Sequence, residues 1–187
     1  MATDEVKIPR WRVKRLLRVK VARQPESSPS GQPASRILIC MPVEKITFQA
    51  AQEVFGPLFR ESKGLIRIIV HQAFFPLLVL KDPDDCIAIL NEDIDPHQLP
   101  TRAFLNKSMG YRFTMAIDLN PEYNLFSAAL VLKSGAAMRM GLKNPYSDFF
   151  FNMQIGKISA DDIRPSYLQV KNLLEPEIGR LHESQPR

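Results

Sequence analysis

A chain of 187 residues with 45% hydrophobic content has room for one domain with tails, and enough apolar side chains to bury a core. Its two cysteines, Cys40 and Cys86, sit in apolar runs with no paired spacing, which excludes a disulfide framework and reads as two buried thiols. No apolar run nears the roughly 18 residues of a membrane span, and charges interrupt the N-terminus too often for a signal peptide, so the expectation is a soluble, cytoplasmic protein. The net charge of +5 is unevenly spread: eight Lys and Arg among residues 1–23 face only Asp4 and Glu5, giving +6, and the rest of the chain sums to −1. A near-neutral body argues against a broad nucleic-acid-binding face and leaves the arm as the electrostatic attractor.

In the arm, Arg10, Arg12, Lys14, Arg15, Arg18 and Lys20 alternate with Trp11, Val13, Leu16, Leu17, Val19 and Val21. Positions 13, 16, 17 and 20 share a helical face that Lys20 interrupts, while the VKV ending suits a strand equally well. Residues 25–33, PESSPSGQP, are a flexible linker. Arm and linker thus occupy residues 1–34. An α/β domain is expected over 35–187, with a core at 35–142 and a C-terminal segment carrying a helix at 143–187.

Within the domain, strand and helix patterns alternate. Arg36–Met41 is a continuous apolar run, as a strand covered on both faces requires. A helix follows with Phe48, Ala51, Phe55 and Leu58 on one side, capped by Thr47 and bent or shortened by Gly56-Pro57. Strands are predicted at Leu65–His71, Cys86–Leu90, Phe113–Leu119 and Ala136–Leu142, with short helical stretches at Phe74–Leu80 and Leu99–Met109. Asn120-Pro121 reads as a helix start carrying Leu125, Ala128, Ala129 and Leu132, and Gly135 as its stop. Ser159-x-x-Asp162 opens a last helix with Ile163, Tyr167, Val170 and Leu174, ended by Pro176 and Gly179. Five strands alternating with helices imply a Rossmann-like, three-layer domain with a mostly parallel, doubly wound sheet.

Three stretches in this order are similar to the N-terminal domain of glycosyltransferase family 9, which includes the lipopolysaccharide heptosyltransferases. They are ILICMP (37–42), RIIVHQAFFPLL (67–78) and AIDLNPEYNLFSAALVLKSGAAMRMGL (116–142). The most specific part is Asp118-Leu119 followed one helix later by Ser134-Gly135-Ala136 and Arg139-Met140-Gly141. The resemblance implies a two-domain glycosyltransferase's acceptor-facing half, with the nucleotide-sugar donor held mostly by the other domain. Two departures bear on activity. The family's first loop carries a Gly-Asp pair as general base, whereas here the loop is Pro42-Val43-Glu44-Lys45-Ile46. The residues after 142 are also too few for a donor-binding domain, and transfer needs donor and acceptor held together. A non-catalytic or partner-dependent module of cell-envelope polysaccharide metabolism is therefore expected, with the acceptor-binding half of a split enzyme as the alternative.

The candidate residues each have two readings. Glu44 is a base or an exposed loop acid beside Lys45. Asp118, at the carboxyl end of a strand where ligands bind open α/β sheets, contacts a ligand or orients the loop before Asn120-Pro121. Arg139 pairs with Asp118 or another acid, or touches a ligand. Pro42, Lys45 and Asn120 complete the candidate set around the strand ends. Phe149-Phe150-Phe151 is a binding patch or the anchor of the C-terminal segment. His71, His97 and His182 stand apart from other ligating residues, so no metal is expected. Without a P-loop or G-x-G-x-x-G, no cofactor is expected. The arm is a solvated tail, an attachment to an anionic inner-membrane face with Trp11 inserting, or a nucleic-acid contact. Candidate partners are a separate donor-domain polypeptide or a second copy of the chain.

Overall fold

In the computed structural model, residues 36–62, 64–159 and 161–183 are described, and the basic arm with its proposed contacts lies outside them. Six strands form one sheet: β1 (Arg36–Cys40), β2 (Ile66–His71), β3 (Cys86–Ile89), β4 (Phe113–Asp118), β5 (Met138–Leu142) and β6 (Met153–Ile155). Their order is β3-β2-β1-β4-β5-β6 and every pairing is parallel. This is the doubly wound, Rossmann-like order, whose direction reverses between β1 and β4. The sheet has six strands, not the five expected. The sixth, MQI, pairs Met153 with Met140 and Ile155 with Leu142. Three residues are too short to show a period-two pattern, and only their pairing with β5 makes them a strand.

Each central strand splits its side chains between two cores. Ile37, Ile39, Ile68, Val70, Met115 and Ile117 face α1 (Lys45–Glu61) and α4 (Arg164–Glu183), meeting Phe48, Phe55, Tyr167 and Leu174. Leu38, Cys40, Ile69 and Ala116 face α2 (Arg102–Ser108) and α3 (Leu125–Lys133), meeting Phe104, Ala128, Ala129 and Phe126. Strands hidden on both sides explain the unbroken apolar runs, and each large side chain so buried contributes about 1.5–3 kcal/mol.

The first helix is not shortened at Gly56-Pro57, and the last does not end at Pro176 and Gly179. The helix α1 continues through Pro57 to Glu61, and α4 continues through Pro176 and Gly179 to Glu183. Buried Phe55, Leu58 and Phe59 flank the first proline, and Leu174, Ile178 and Leu181 flank the second, so tertiary packing carries each helix across the lost hydrogen bond. The expected cap at Asn120 also moves. The cap is Asn124, whose Oδ1 accepts the Ser127 N–H at 3.0 Å. The α3 stop falls as expected, with Gly135 at φ 68°.

The amino end of the sheet is tied shut. The Arg36 guanidinium lies 4.0 Å from the Tyr111 ring centre and 3.3 Å from Asp85, while Arg67 lies 4.5 Å from the same ring and donates to the Asp84 carbonyl. Asp85 also accepts the Gly64 N–H at 2.8 Å. These contacts join the starts of β1, β2 and β3 to the loop before β4. The other end, where the strand order reverses, is left to form a site.

Candidate functional site

At the carboxyl ends of β1 and β4, a buried polar network fastens the two loops together. Asn120 accepts the Val43 N–H on Oδ1 at 3.0 Å and donates from Nδ2 to Asp118 at 2.7 Å. Asp118 also accepts the Asn120 backbone N–H at 3.0 Å and the Ser127 hydroxyl at 2.6 Å. Asp118 is 3% exposed, and Asn120 and Ser127 are buried beside it. Burial pushes the Asp118 carboxyl up to about 6, against the downward pull of the hydrogen bonds from Ser127 and Asn120. On the far side of the loop, the Tyr167 hydroxyl donates to the Leu119 carbonyl at 2.8 Å. Asp118 and Asn120 are thus committed to holding the loop after β4 against the loop after β1.

Beside this network a cleft of about 520 Å³ opens over the carboxyl ends of β1, β2 and β3. Its floor and walls include Cys40, Ile69, Ile89, Ile94, Phe126 and Leu130. The polar residues His71, Gln98, Tyr146 and Glu122 also line it, and so does Tyr123, whose hydroxyl is buried and, among the described residues, without a hydrogen-bond partner. The His71 Nδ1 accepts the Ala73 N–H at 3.3 Å. Gln98 holds φ 63° in a turn whose Asp95 carboxylate accepts the His97 and Leu99 N–H groups. A non-glycine residue in this region is uncommon, and such strain gathers at ligand sites. Tyr123 and Tyr146 form one wall, ring centres 4.7 Å apart and 46° between planes. Burial pushes the Cys40 thiol up, and so does the nearby Asp118 charge. The Tyr123 hydroxyl is raised by burial, then by Tyr146 and by Asp118.

The residues singled out from sequence do not converge on this cleft. Pro42 is buried in the loop. Lys45 is exposed as the first residue of α1. Glu44 is exposed and lines a separate hollow of about 420 Å³ with Glu53, Asp161, Asp162, Lys157 and Arg164. Arg139 does not pair with Asp118. Its Nε donates to the Phe150 carbonyl at 3.0 Å, fixing the segment between β5 and β6. Phe150 and Phe151 are buried in the α3-side core, while Phe149 is half exposed. The Phe151 ring fills the space where a Cβ on Gly141 would lie, so only glycine fits at that position of β5.

His71, Gln98, Tyr123 and Tyr146 were not identified as a site from the sequence, because they come from the end of β2 and three separate loops. The isolated Gln98 in a Pro-bounded polar turn is the one local signal. Among the described residues no three His, Cys, Asp or Glu side chains gather to hold a metal, and no helix is long and apolar enough to cross a membrane. No family model matches the chain, and no curated protein or solved structure gives a significant match.

Proposed function

We propose that this chain is a binding module without transfer activity of its own, built like the acceptor-side half of a family 9 glycosyltransferase and serving cell-envelope polysaccharide metabolism. The observation carrying this reading is the chemistry of the cleft at the strand ends. It has the size and apolar lining of a small-molecule site, at the place where doubly wound sheets bind ligands. Yet a general base must lie within hydrogen-bond reach of the proton it takes. Glu44 opens onto the other hollow, and Asp118 is enclosed by Asn120 and Ser127. Glu122, the one carboxylate on the cleft among the described residues, sits exposed at its rim and is held at 2.5 Å by Lys157.

The purified full chain, given a nucleotide-sugar and a panel of sugar acceptors, is expected to release no nucleotide and form no new glycoside. Turnover above the uncatalysed rate would sink the reading.

The split-enzyme alternative draws on the rim. Val43, Ile46, Phe75, Leu77 and Val79 expose apolar side chains from the loops after β1 and β2, the edge a donor domain or second copy would cover. In that case turnover is absent from the chain alone and emerges when a separate donor-domain polypeptide is added.

A further inference from the structure

The cleft over β1–β3 has a charge character that narrows what it can hold. Among the described residues no lysine or arginine lines it. The one carboxylate lining it among the described residues, Glu122, pairs with Lys157, and the buried Asp118 carboxylate accepts from Ser127, which borders the cleft. Among the described residues no glycine lines it, and where the first turn of α3 borders the space the Ser127 N–H is already taken by Asn124. A phosphate placed here would lose its water and find no cationic side chain to offset its charge.

What the cleft does offer is an aliphatic floor, an aromatic wall and a few neutral donors. Ile69, Ile89 and Leu130 supply the floor, Tyr123 and Tyr146 the wall, and His71 and Gln98 line the same space. We infer that the cleft takes an uncharged, amphipathic glycoside, its sugar ring against the tyrosine pair and its apolar tail on the aliphatic floor, and that it rejects phosphate-bearing ligands. This ligand class rests on the binding-module reading above. It assigns the cleft to neither a nucleotide-sugar nor a phosphorylated acceptor.

The test is amide chemical-shift mapping on the full-length chain, with three probes: octyl glucoside below its micelle concentration, UDP-glucose and inorganic phosphate. Octyl glucoside is expected to shift the amides of His71, Gln98, Tyr123 and Tyr146 saturably, and the two phosphate probes to leave them in place. Tyr146→Ala should weaken the octyl glucoside response about threefold to tenfold, the size of a lost aromatic contact. Val43→Trp, at an exposed position on the cleft mouth, should abolish it, with the thermal transition checked to exclude misfolding. Ile46→Ser, on the exposed rim, should change nothing. The inference is overturned if UDP-glucose or phosphate shifts the cleft amides, or if no saturable shift occurs there. It is equally overturned if Ile46→Ser removes the response while Val43→Trp leaves it intact, since the glycoside then rides on the apolar rim. Each of these outcomes concerns the ligand class alone, because the binding-module reading is judged by turnover, which none of the probes measures.

Discussion

Asp118 sets a pH dependence that its surroundings make unusual for a carboxylate. Burial raises a carboxyl and hydrogen bonds to its charged form lower it; here the loss of solvent outweighs three hydrogen bonds and the carboxyl rises to about 6. An unfolded chain releases this proton near pH 4, so between about pH 4 and pH 6 the folded state holds more protons than the unfolded one. Stability from this group is therefore fully present below pH 4, falls as pH rises through the window, and is flat above it. At about 1.4 kcal/mol for each unit, the loss is about 3 kcal/mol by neutral pH. Asp118→Asn cannot titrate, and its amide group meets the Asn120 and Ser127 donors with one acceptor oxygen instead of two. The variant is expected to be less stable than the parent at pH 4, with the gap narrowing by about 3 kcal/mol by pH 7. Urea unfolding at the two pH values reads this, and a gap that stays constant would show that Asp118 titrates in the ordinary range.

At the scale of elements, α1 contains a proline that the fold tolerates rather than uses. Pro57 is exposed, and it removes one hydrogen bond from a helix whose neighbours Phe55, Leu58 and Phe59 are buried. Pro57→Ala restores that bond and removes the ring's clash with the preceding turn, against a partial loss from a freer unfolded chain. A gain of about 1–2 kcal/mol is expected, seen as a raised Tm, and an unchanged or lowered Tm would mean that the kink itself improves packing. The same proline shows what local signals can and cannot give. Five strands were legible because Ile, Leu and Val runs hidden on both faces have no other reading, and the end of α3 was legible because Gly135 takes a positive φ. The course of α1 and α4 past Pro57 and Pro176 was not, since burial against the sheet decides it. Strand β6 exists only through its pairing with β5. Asn120-Pro121 carried a strong start signal, yet the fold uses Asn120 to join two loops 77 residues apart and gives the cap to Asn124. The strand-end region was legible in the sequence. The cleft lining was not, because Ile69 of β2 meets Gln98, Tyr123 and Tyr146 of three separate loops only in the folded chain.

For the whole molecule, charge is unevenly distributed. The near-neutral domain carries a cleft that disfavours anions, while residues 1–23 carry +6 and interleave that charge with Trp11, Leu16 and Leu17. Cations at an anionic bilayer contribute about 1 kcal/mol each, enough for eight of them to hold the chain at a surface where an amphipathic ligand resides. A chain lacking residues 1–34 is then expected to keep the parent's thermal transition and its octyl glucoside response, because among the described residues the cleft is lined from Cys40 onward. Its co-sedimentation with phosphatidylserine-containing vesicles should disappear, and the parent's should fade as salt shortens the screening length. Zwitterionic vesicles should retain neither form. If the parent ignores anionic vesicles but binds duplex DNA with a steep salt dependence that truncation removes, the arm serves nucleic acid instead. If truncation leaves vesicle binding intact, the attachment belongs to the exposed apolar rim of Val43, Ile46 and Leu77, and the arm has no part in it.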